Sequence, residues 1–421
     1  MPTRKLNGPL GGEYITDGRG SAVVAFTDPI TDDNNLGGRL TGVEGVTPLV
    51  RQPNYIAALG DSLTLGDGDR QSYLGNRSFL AWACLLSGGA LIPPITGGQG
   101  VNGETSGQIA ARASSIAALV PRPSRCLVMA GTNDALHGWN EPTYQANIAS
   151  IVATLRAASI EPILLLCPPN NTAGATIARI NAWLSLYGVR NGIQVIDTYT
   201  PFQDAATGGY KSGADLDGTH ITAVTAKGMG QAIWDALSSR IAPLPPLLLT
   251  AHAADPLNLL ANGVFVGDTN ADGTANSWTN VGANSSDSLV SGGTTVPGNW
   301  QKLTLDQASQ VFFDQPISAG WSVGDYLLFA GRVRASLSST ETVQARLEYT
   351  GSTITRMHIL YPNSISIADG DGVVFAGVGQ VPVGCTAIRC RLFGTGVSGV
   401  GTGTVEFAQI TVRNLTTLGL V

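Results

Sequence analysis

Residues 55–62 read Tyr55-Ile56-Ala57-Ala58-Leu59-Gly60-Asp61-Ser62. A short apolar run stops at a glycine, and a carboxylate and a serine follow at the head of a Gly-rich polar loop. A buried parallel strand that delivers a side chain at its carboxyl end has this pattern. At such an end a serine hydroxyl faces a cleft and backbone N–H groups point at whatever occupies it. Taken alone, the stretch also fits a strand closing in an ordinary Asp-Ser turn, so the rest of the chain has to decide.

The chain has 421 residues, long enough for two or three domains. It is 43% hydrophobic and only 13% charged, about half the usual charged share. The 53 Gly and 22 Pro predict many turns. A net charge of −6, with Lys and Arg scattered, argues against a nucleic-acid partner, which leaves a basic footprint. No stretch approaches the ~20 apolar residues of a membrane span. The longest candidate, residues 241–249, is broken by Pro243, Pro245 and Pro246. Arg4 and Lys5 are not followed by an apolar segment of the kind that a secretory signal carries. Five cysteines, 84, 126, 167, 385 and 390, form no C-x-x-C pair and read as buried free thiols.

Outward from residues 55–62, the chain divides by pattern. Residues 1–52 read as an N-terminal arm or small β-rich segment, with one apolar patch at residues 22–26. Residues 53–242 alternate strand and helix patterns. Strands are predicted at 55–60, 125–130, 162–167 and 193–197, and helices at 78–86, 106–119, 142–158, 172–187 and 222–239. In the last helix Met229, Ile233 and Leu237 recur every four residues. Such alternation predicts a parallel sheet covered on both faces, with its ligand at the strand carboxyl ends. Residues 243–256 are Pro-rich and read as a linker. From 257 to 421 the period becomes two: Val343, Ala345, Leu347 and Tyr349 alternate with Gln344, Arg346 and Glu348. Further strands are predicted at 300–305, 326–334, 354–360, 371–376, 388–392 and 404–412, which together suggest a jelly-roll-like β-sandwich.

Four polar blocks fall at strand ends or loops of residues 53–242. They are Gly60-Asp61-Ser62-Leu63, residues 100–106 (Gly-Val-Asn-Gly-Glu-Thr-Ser), Gly131-Thr132-Asn133-Asp134 and Asp217-Gly218-Thr219-His220. Acyl transfer by a serine needs a near-neutral base within hydrogen-bond reach and a carboxylate that sets the base's tautomer. Of the four histidines, 137, 220, 252 and 358, His252 sits next to the linker and His358 in the β-rich part, while His220 has an acid three residues before it, Asp217. A tight turn would put Asp217 on Nδ1 and leave Nε2 for Ser62, a triad in the order Ser62, Asp217, His220. Asp215 is a rival for the acid. The Ser62 N–H, the Gly103 N–H and the Asn133 side-chain amide are candidate oxyanion donors, although Gly103 and Asn133 also suit plain turns. His137 fits a surface loop better than the cleft, and Asp61 and Asp134 fit local hydrogen bonding.

Together, in this order and spacing, the four blocks resemble the SGNH (GDSL-type) hydrolase superfamily over residues 53–242. The resemblance implies a flavodoxin-like three-layer α/β/α fold and a carboxylic ester hydrolase that needs no metal or other cofactor for catalysis. It implies Ser62 as nucleophile, His220 as base and then acid, Asp217 as the orienting acid, and Ser62, Gly103 and Asn133 as the oxyanion hole. Block two carries Glu104 where the family commonly has Asp. The G-x-S-x-G elbow of other serine hydrolases is absent, since Thr64 holds its last position. Residues 257–421 loosely resemble carbohydrate-binding sandwich modules, with Trp278, Trp300 and Trp321 as candidates for stacking on sugars.

The expectation is a serine esterase removing acetyl or other short acyl groups from a polysaccharide. One alternative is a virion tail or adhesive protein whose main work is glycan binding; another is a lipase or thioesterase of the same fold. The expected partner is an acylated carbohydrate or small ester, and homo-oligomers stay open. An extracellular or virion-associated location is favoured. Asp268-Thr269-Asn270-Ala271-Asp272-Gly273 matches the first half of a Ca²⁺ loop, so Asp268, Asn270 and Asp272 are weak candidates for a structural Ca²⁺, against a plain Asx-rich turn.

Overall fold

The computed structural model describes residues 5–7, 13–16, 22–24, 54–72, 74–241, 248–281, 287–305, 310–337, 342–360, 370–395 and 403–421. The chain divides into two compact units, Met1–Arg51 and Gln52–Val421. In the first, β1 (Lys5–Asn7), β2 (Glu13–Thr16) and β3 (Ala22–Val24) form an antiparallel sheet in the order β1-β2-β3.

The second unit begins with an α/β layer. In chain order it contains β4 (Asn54–Gly60), α1 (Ser62–Leu65), α2 (Phe79–Leu86), β5 (Leu91–Ile92), β6 (Gly98–Gly100), α3 (Ser106–Ala111) and β7 (Arg125–Met129). There follow α4 (Thr132–Leu136), α5 (Glu141–Ala157), β8 (Glu161–Leu165), α6 (Gly174–Asn191), β9 (Gln194–Ile196) and α7 (Ala223–Leu237). The strands are parallel in the order β5-β4-β7-β8-β9, and β6 also pairs with β4. The first two strands are exchanged in that order, so β4 and β7 diverge into connections on opposite sides, where α/β sheets open a crevice.

The period of two in the strands sorts the core. From β4, Ile56 and Ala58 face α2 and α7, packing with Trp82, Met229 and Ile233. Ala57 and Leu59 face the other way, toward Ile109, Tyr144, Ile148, Ile177 and Ile180 from α3, α5 and α6. Both faces are buried, which explains why the strand reads as a continuous apolar run. Cap residues set the helix ends: Ser78 starts α2, Asn140 starts α5 and Thr222 starts α7, each accepting from a backbone N–H of the first turn. The segment expected as one helix over 106–119 is α3 followed by a 3₁₀ stretch at Ala113–Ala118. The short strands β5 and β6 carry too few residues to show a period.

The remainder is antiparallel. It comprises β10 (Thr279–Val281), β11 (Asp287–Ser291), β12 (Asn299–Leu305), β13 (Gln310–Ile317), β14 (Tyr326–Ser336) and β15 (Thr342–Thr350). It ends with β16 (Arg356–Leu360), β17 (Val373–Gln380), β18 (Ala387–Thr395) and β19 (Gly403–Asn414). Two five-stranded sheets, β10-β13-β18-β15-β16 and β11-β12-β19-β14-β17, enclose Phe313, Leu347, Leu392, Leu303, Phe329 and Phe407. The α/β fold with an appended all-β sandwich is therefore as expected from the patterns.

Two tryptophans offered for sugar stacking are core residues. Trp278 and Trp300 are buried, and Trp321 is half-buried with its Nε1–H on the Ile317 carbonyl. The period-two pattern could not separate an inward tryptophan from an outward one. All five cysteines are free and buried. The two Asp268 carboxylate oxygens accept from the Asp272 and Gly273 N–H groups, and the Asn270 amide donates to Asp272. Residues 242–247 of the Pro-rich stretch lie outside the described residues. Beyond them Leu248 is buried, and the Thr250 carbonyl accepts from Gln409. Among the described residues no helix is long and apolar enough to cross a membrane.

The α/β layer and the sandwich share apolar packing. Tyr55 and Ile92 cluster with Leu328, Val374, Ala376, Val378 and Leu415. The segment after β5 runs against β17: the Ile95 N–H donates to the Val378 carbonyl at 2.7 Å, and the Val378 N–H donates to the Pro93 carbonyl at 3.2 Å. A chain ended after Arg240 would expose Tyr55, Ile92 and Ile95. Its solubility and melting temperature are expected to fall clearly below those of the full chain in a thermal-unfolding comparison. Equal values would mean that the shared packing contributes nothing.

Candidate active site

Gly60 ends β4, and Asp61 caps the four-residue helix α1, its side chain accepting from the Leu63 N–H at 3.0 Å. Ser62 is thus the first helical residue, lifted off the strand end into the cleft. Gly60 is required by space. A Cβ there would stand 2.1 Å from Thr64 Oγ1 and 2.5 Å from the Met129 carbonyl, so the turn closes only on a bare backbone.

His220 arrives from the far end of the α/β layer. Its Nε2 lies 3.0 Å from Ser62 Oγ, and its Nδ1 lies 2.8 Å from Asp217 Oδ2. The other oxygen, Asp217 Oδ1, accepts from the Thr219 and His220 N–H groups at 3.0 and 2.8 Å. These bonds hold Asp217 well below the usual carboxylate range, at about 2, with the His220 N–H as the first cause and the His220 ring as the second. Asp217 is ionised at neutral pH, which keeps a proton on Nδ1 and a lone pair on Nε2. The rival acid is used elsewhere: Asp215 Oδ2 accepts from the Gly218 N–H.

The loop carrying this pair is pinned from the end of β8. The Asn171 N–H donates to the Gly218 carbonyl, Asn170 Nδ2 donates to Thr219 Oγ1, and the Tyr210 hydroxyl donates to the Thr219 carbonyl. None of these residues belongs to the four blocks, and nothing in their spacing marks them.

Gly103 sits in the turn before α3 with φ +76, a left-handed conformation that favours glycine, and has open space where a Cβ would be. Asn133 follows β7 in α4. Its Nδ2 donates to the Glu104 carbonyl at 2.9 Å and, more weakly, to Asp61 Oδ2 at 3.3 Å. The structure thus gathers Ser62, Gly103, Asn133, Asp217 and His220 around one cleft of about 930 Å³. Leu63, Leu65, Leu136, Leu216 and Ile221 supply apolar wall, and Asn102 and the ion pair of Arg77 with Asp67 supply polar wall. Leu136 and Leu216 are 38% and 60% exposed. Sequence reading missed Arg77, Leu136 and Leu216, whose types are common on any surface. Asp134 accepts from the Ser106 N–H and hydroxyl, and His137 is exposed with Nδ1 on the Asn133 carbonyl. His137 acts locally, as expected, whereas Asp134 reaches the start of α3, 28 residues away in sequence, and not a local partner. No group of three or more metal-ligating side chains occurs among the described residues.

Residues 58–227 match the model of the GDSL-like Lipase/Acylhydrolase family. That match covers less than half of the chain and coincides with the α/β layer, so the resemblance expected from the four blocks holds for this domain. Solved structures similar to the chain include one described as a G-D-S-L family lipolytic protein from Desulfitobacterium hafniense DCB-2, at 24% identity and TM-score 0.38, covering 44% of this chain and 99% of that chain. A GDSL-like lipase from Bacteroides thetaiotaomicron VPI-5482 is 21% identical with TM-score 0.37, covering 47% of this chain and 93% of its own. A carbohydrate esterase family 3 structure from Talaromyces cellulolyticus is 17% identical with TM-score 0.35, covering 44% and 97%. No curated protein matches the chain.

Burial pushes the Asp61 carboxyl up to about 7, against the Leu63 N–H, which lowers it. The folded protein therefore keeps the Asp61 proton at pH values where the unfolded chain, near 4, has released it. The native state binds more protons between these values, so this group's contribution to stability declines as pH rises from about 4 to about 7. Asp61→Asn removes the decline. Its unfolding free energy relative to wild type is expected to rise steadily across that window, on the order of a few kcal/mol in total, read from denaturant unfolding at each pH. A pH-independent difference would place the cost elsewhere.

Proposed function

We propose that the α/β domain is a serine esterase that hydrolyses short acyl esters, acetyl first among them, carried on a polysaccharide. The observation that carries the reading is the line of contacts from Asp217 Oδ2 through the His220 ring to Ser62 Oγ, at 2.8 and 3.0 Å.

In this reading Ser62 Oγ attacks the ester carbonyl carbon as its proton passes to His220 Nε2. Asp217 keeps the ring oriented and stabilises the imidazolium without taking its proton. The carbonyl oxygen becomes an oxyanion facing the N–H groups of Ser62 and Gly103 and the Asn133 amide. Asn133 meets it by releasing its longer bond, the 3.3 Å contact with Asp61. Collapse breaks the ester C–O bond, and the alcohol leaves with the proton from Nε2. Water then attacks the acyl-serine, again through His220, and frees the carboxylic acid and Ser62. No step calls on a metal.

The cleft supports a substrate larger than the acyl group. About 930 Å³ lies at the upper end of ordinary ligand pockets, well beyond what an acetyl group fills. Its wall mixes leucines with Asn102, Asp67 and Arg77, which suits a hydroxyl-rich alcohol portion beside a small apolar acyl portion.

Acetate release from acetylated polysaccharide and from p-nitrophenyl acetate tests this. Wild type is expected to release acetate from both, and Ser62→Ala to lose on the order of a million-fold in kcat. Asn133→Ala is expected to lose roughly a hundredfold or more. Full activity in Ser62→Ala would overturn the mechanism. A clear preference for p-nitrophenyl esters of long acyl chains would replace the polysaccharide with a lipid.

A further inference from the structure

The oxyanion donors are held by a residue outside the four blocks. Arg112 follows α3, and its side chain is only 17% exposed. Its Nε donates to Glu104 Oε2 at 2.6 Å, its Nη1 to the Gln99 carbonyl at 2.9 Å and its Nη2 to the Gly60 carbonyl at 2.6 Å. The three acceptors lie on three separate pieces of backbone. Gly60 ends β4 two residues before Ser62, Gln99 lies in β6, and Glu104 follows Gly103. The Glu104 carbonyl is also the acceptor that holds Asn133 Nδ2. One planar guanidinium thus ties the end of β4, before Ser62, to the β6–Glu104 segment that bears Gly103, and the Glu104 carbonyl carries the link on to Asn133.

We propose that Arg112 is the positioning residue of the oxyanion hole, acting with Glu104 in two ways. This rests on the esterase reading above. The first way is geometric. Arginine presents its donors in a rigid fork, so three simultaneous bonds set the spacing of β4, β6 and the Gly103 turn with little freedom. The second is electrostatic. Glu104 is adjacent to Gly103, and its side chain is only 14% exposed. Unpaired, its carboxylate would place a negative charge beside the site where the oxyanion forms, raising the energy of the transition state. The Arg112 charge cancels it.

The test uses the full chain and p-nitrophenyl acetate. Arg112→Met is expected to lower kcat by roughly 10- to 100-fold while KM stays within about twofold, since the donors act on the transition state and not on ground-state binding. Covalent inactivation by a p-nitrophenyl alkylphosphonate, which places a phosphoryl oxygen in the same hole, is expected to slow in parallel. The double variant Arg112→Met, Glu104→Gln is expected to recover part of kcat, because it removes the stranded charge; two independent losses that simply multiply would overturn the electrostatic half. Should Arg112→Met fail to fold, Arg112→Lys carries the test. It keeps the charge without the fork, and kcat is expected to fall about fivefold or more. A folded variant with kcat and inactivation rate within twofold of wild type would overturn the inference while leaving the esterase intact. Full activity in Ser62→Ala would instead overturn the esterase reading itself.

Discussion

One hydrogen bond makes demands on the whole α/β layer. His220 Nε2 and Ser62 Oγ are 158 residues apart in sequence and 3.0 Å apart in space. In the proposed mechanism a shift of even about one ångström would separate nucleophile from base, and misplacements of that size cost orders of magnitude in rate. The serine side of the contact is set by a buried strand end, where Asp61 caps a single helical turn. The histidine side is set by a loop that would otherwise be free on the surface. Asp217 folds that loop on itself through the Thr219 and His220 N–H groups, and Asn170, Asn171 and Tyr210 fasten it to the body of the domain. Asp217 therefore has two tasks, building the turn and orienting the ring, and the same bonds that build the turn keep it ionised.

The opposite wall of the cleft follows the same logic with different chemistry. Gly103 and Asn133 stand on separate segments, and hydrogen bonds to the Glu104 backbone and side chain bring them into register with β4. The charged groups this close to the strand core find partners, Asp61 with the Leu63 N–H and the Asn133 amide, and Arg112 with three acceptors. Burial beneath Ser62 raises the Asp61 carboxyl.

The sandwich packs against a different part of this layer. Its contacts include Tyr55 at the start of β4, Ile92, Ile95 and helix α2, whereas the cleft opens at the carboxyl end of β4. No sandwich residue lines the cleft among the described residues. The sandwich is therefore continuous with the hydrophobic core of the hydrolase layer while leaving its substrate entrance free. With Trp278 and Trp300 turned into that core, the aromatic platform expected on it is not formed by these side chains.

The sequence by itself determined the class of the fold and the residues most able to do chemistry. A strand buried on both faces must be a continuous apolar run, and a half-exposed antiparallel strand must alternate, so the change near residue 257 was legible. The Asp217-Gly218-Thr219-His220 block was legible too, as the last of four polar blocks in one order along the α/β segment; the same spacing in Asp134 and His137 forms no such pair. Tertiary structure decided everything that depends on distant partners. The meeting of Ser62 with His220 across 158 residues is of this kind. Arg112 could not be read as part of the site, because its three acceptors are two backbone carbonyls, which any sequence supplies, and a glutamate. The inward turn of the tryptophans and the shared core of the two layers were likewise beyond reach. Local pattern specifies which face of an element is apolar, while only the packed chain specifies what that face meets.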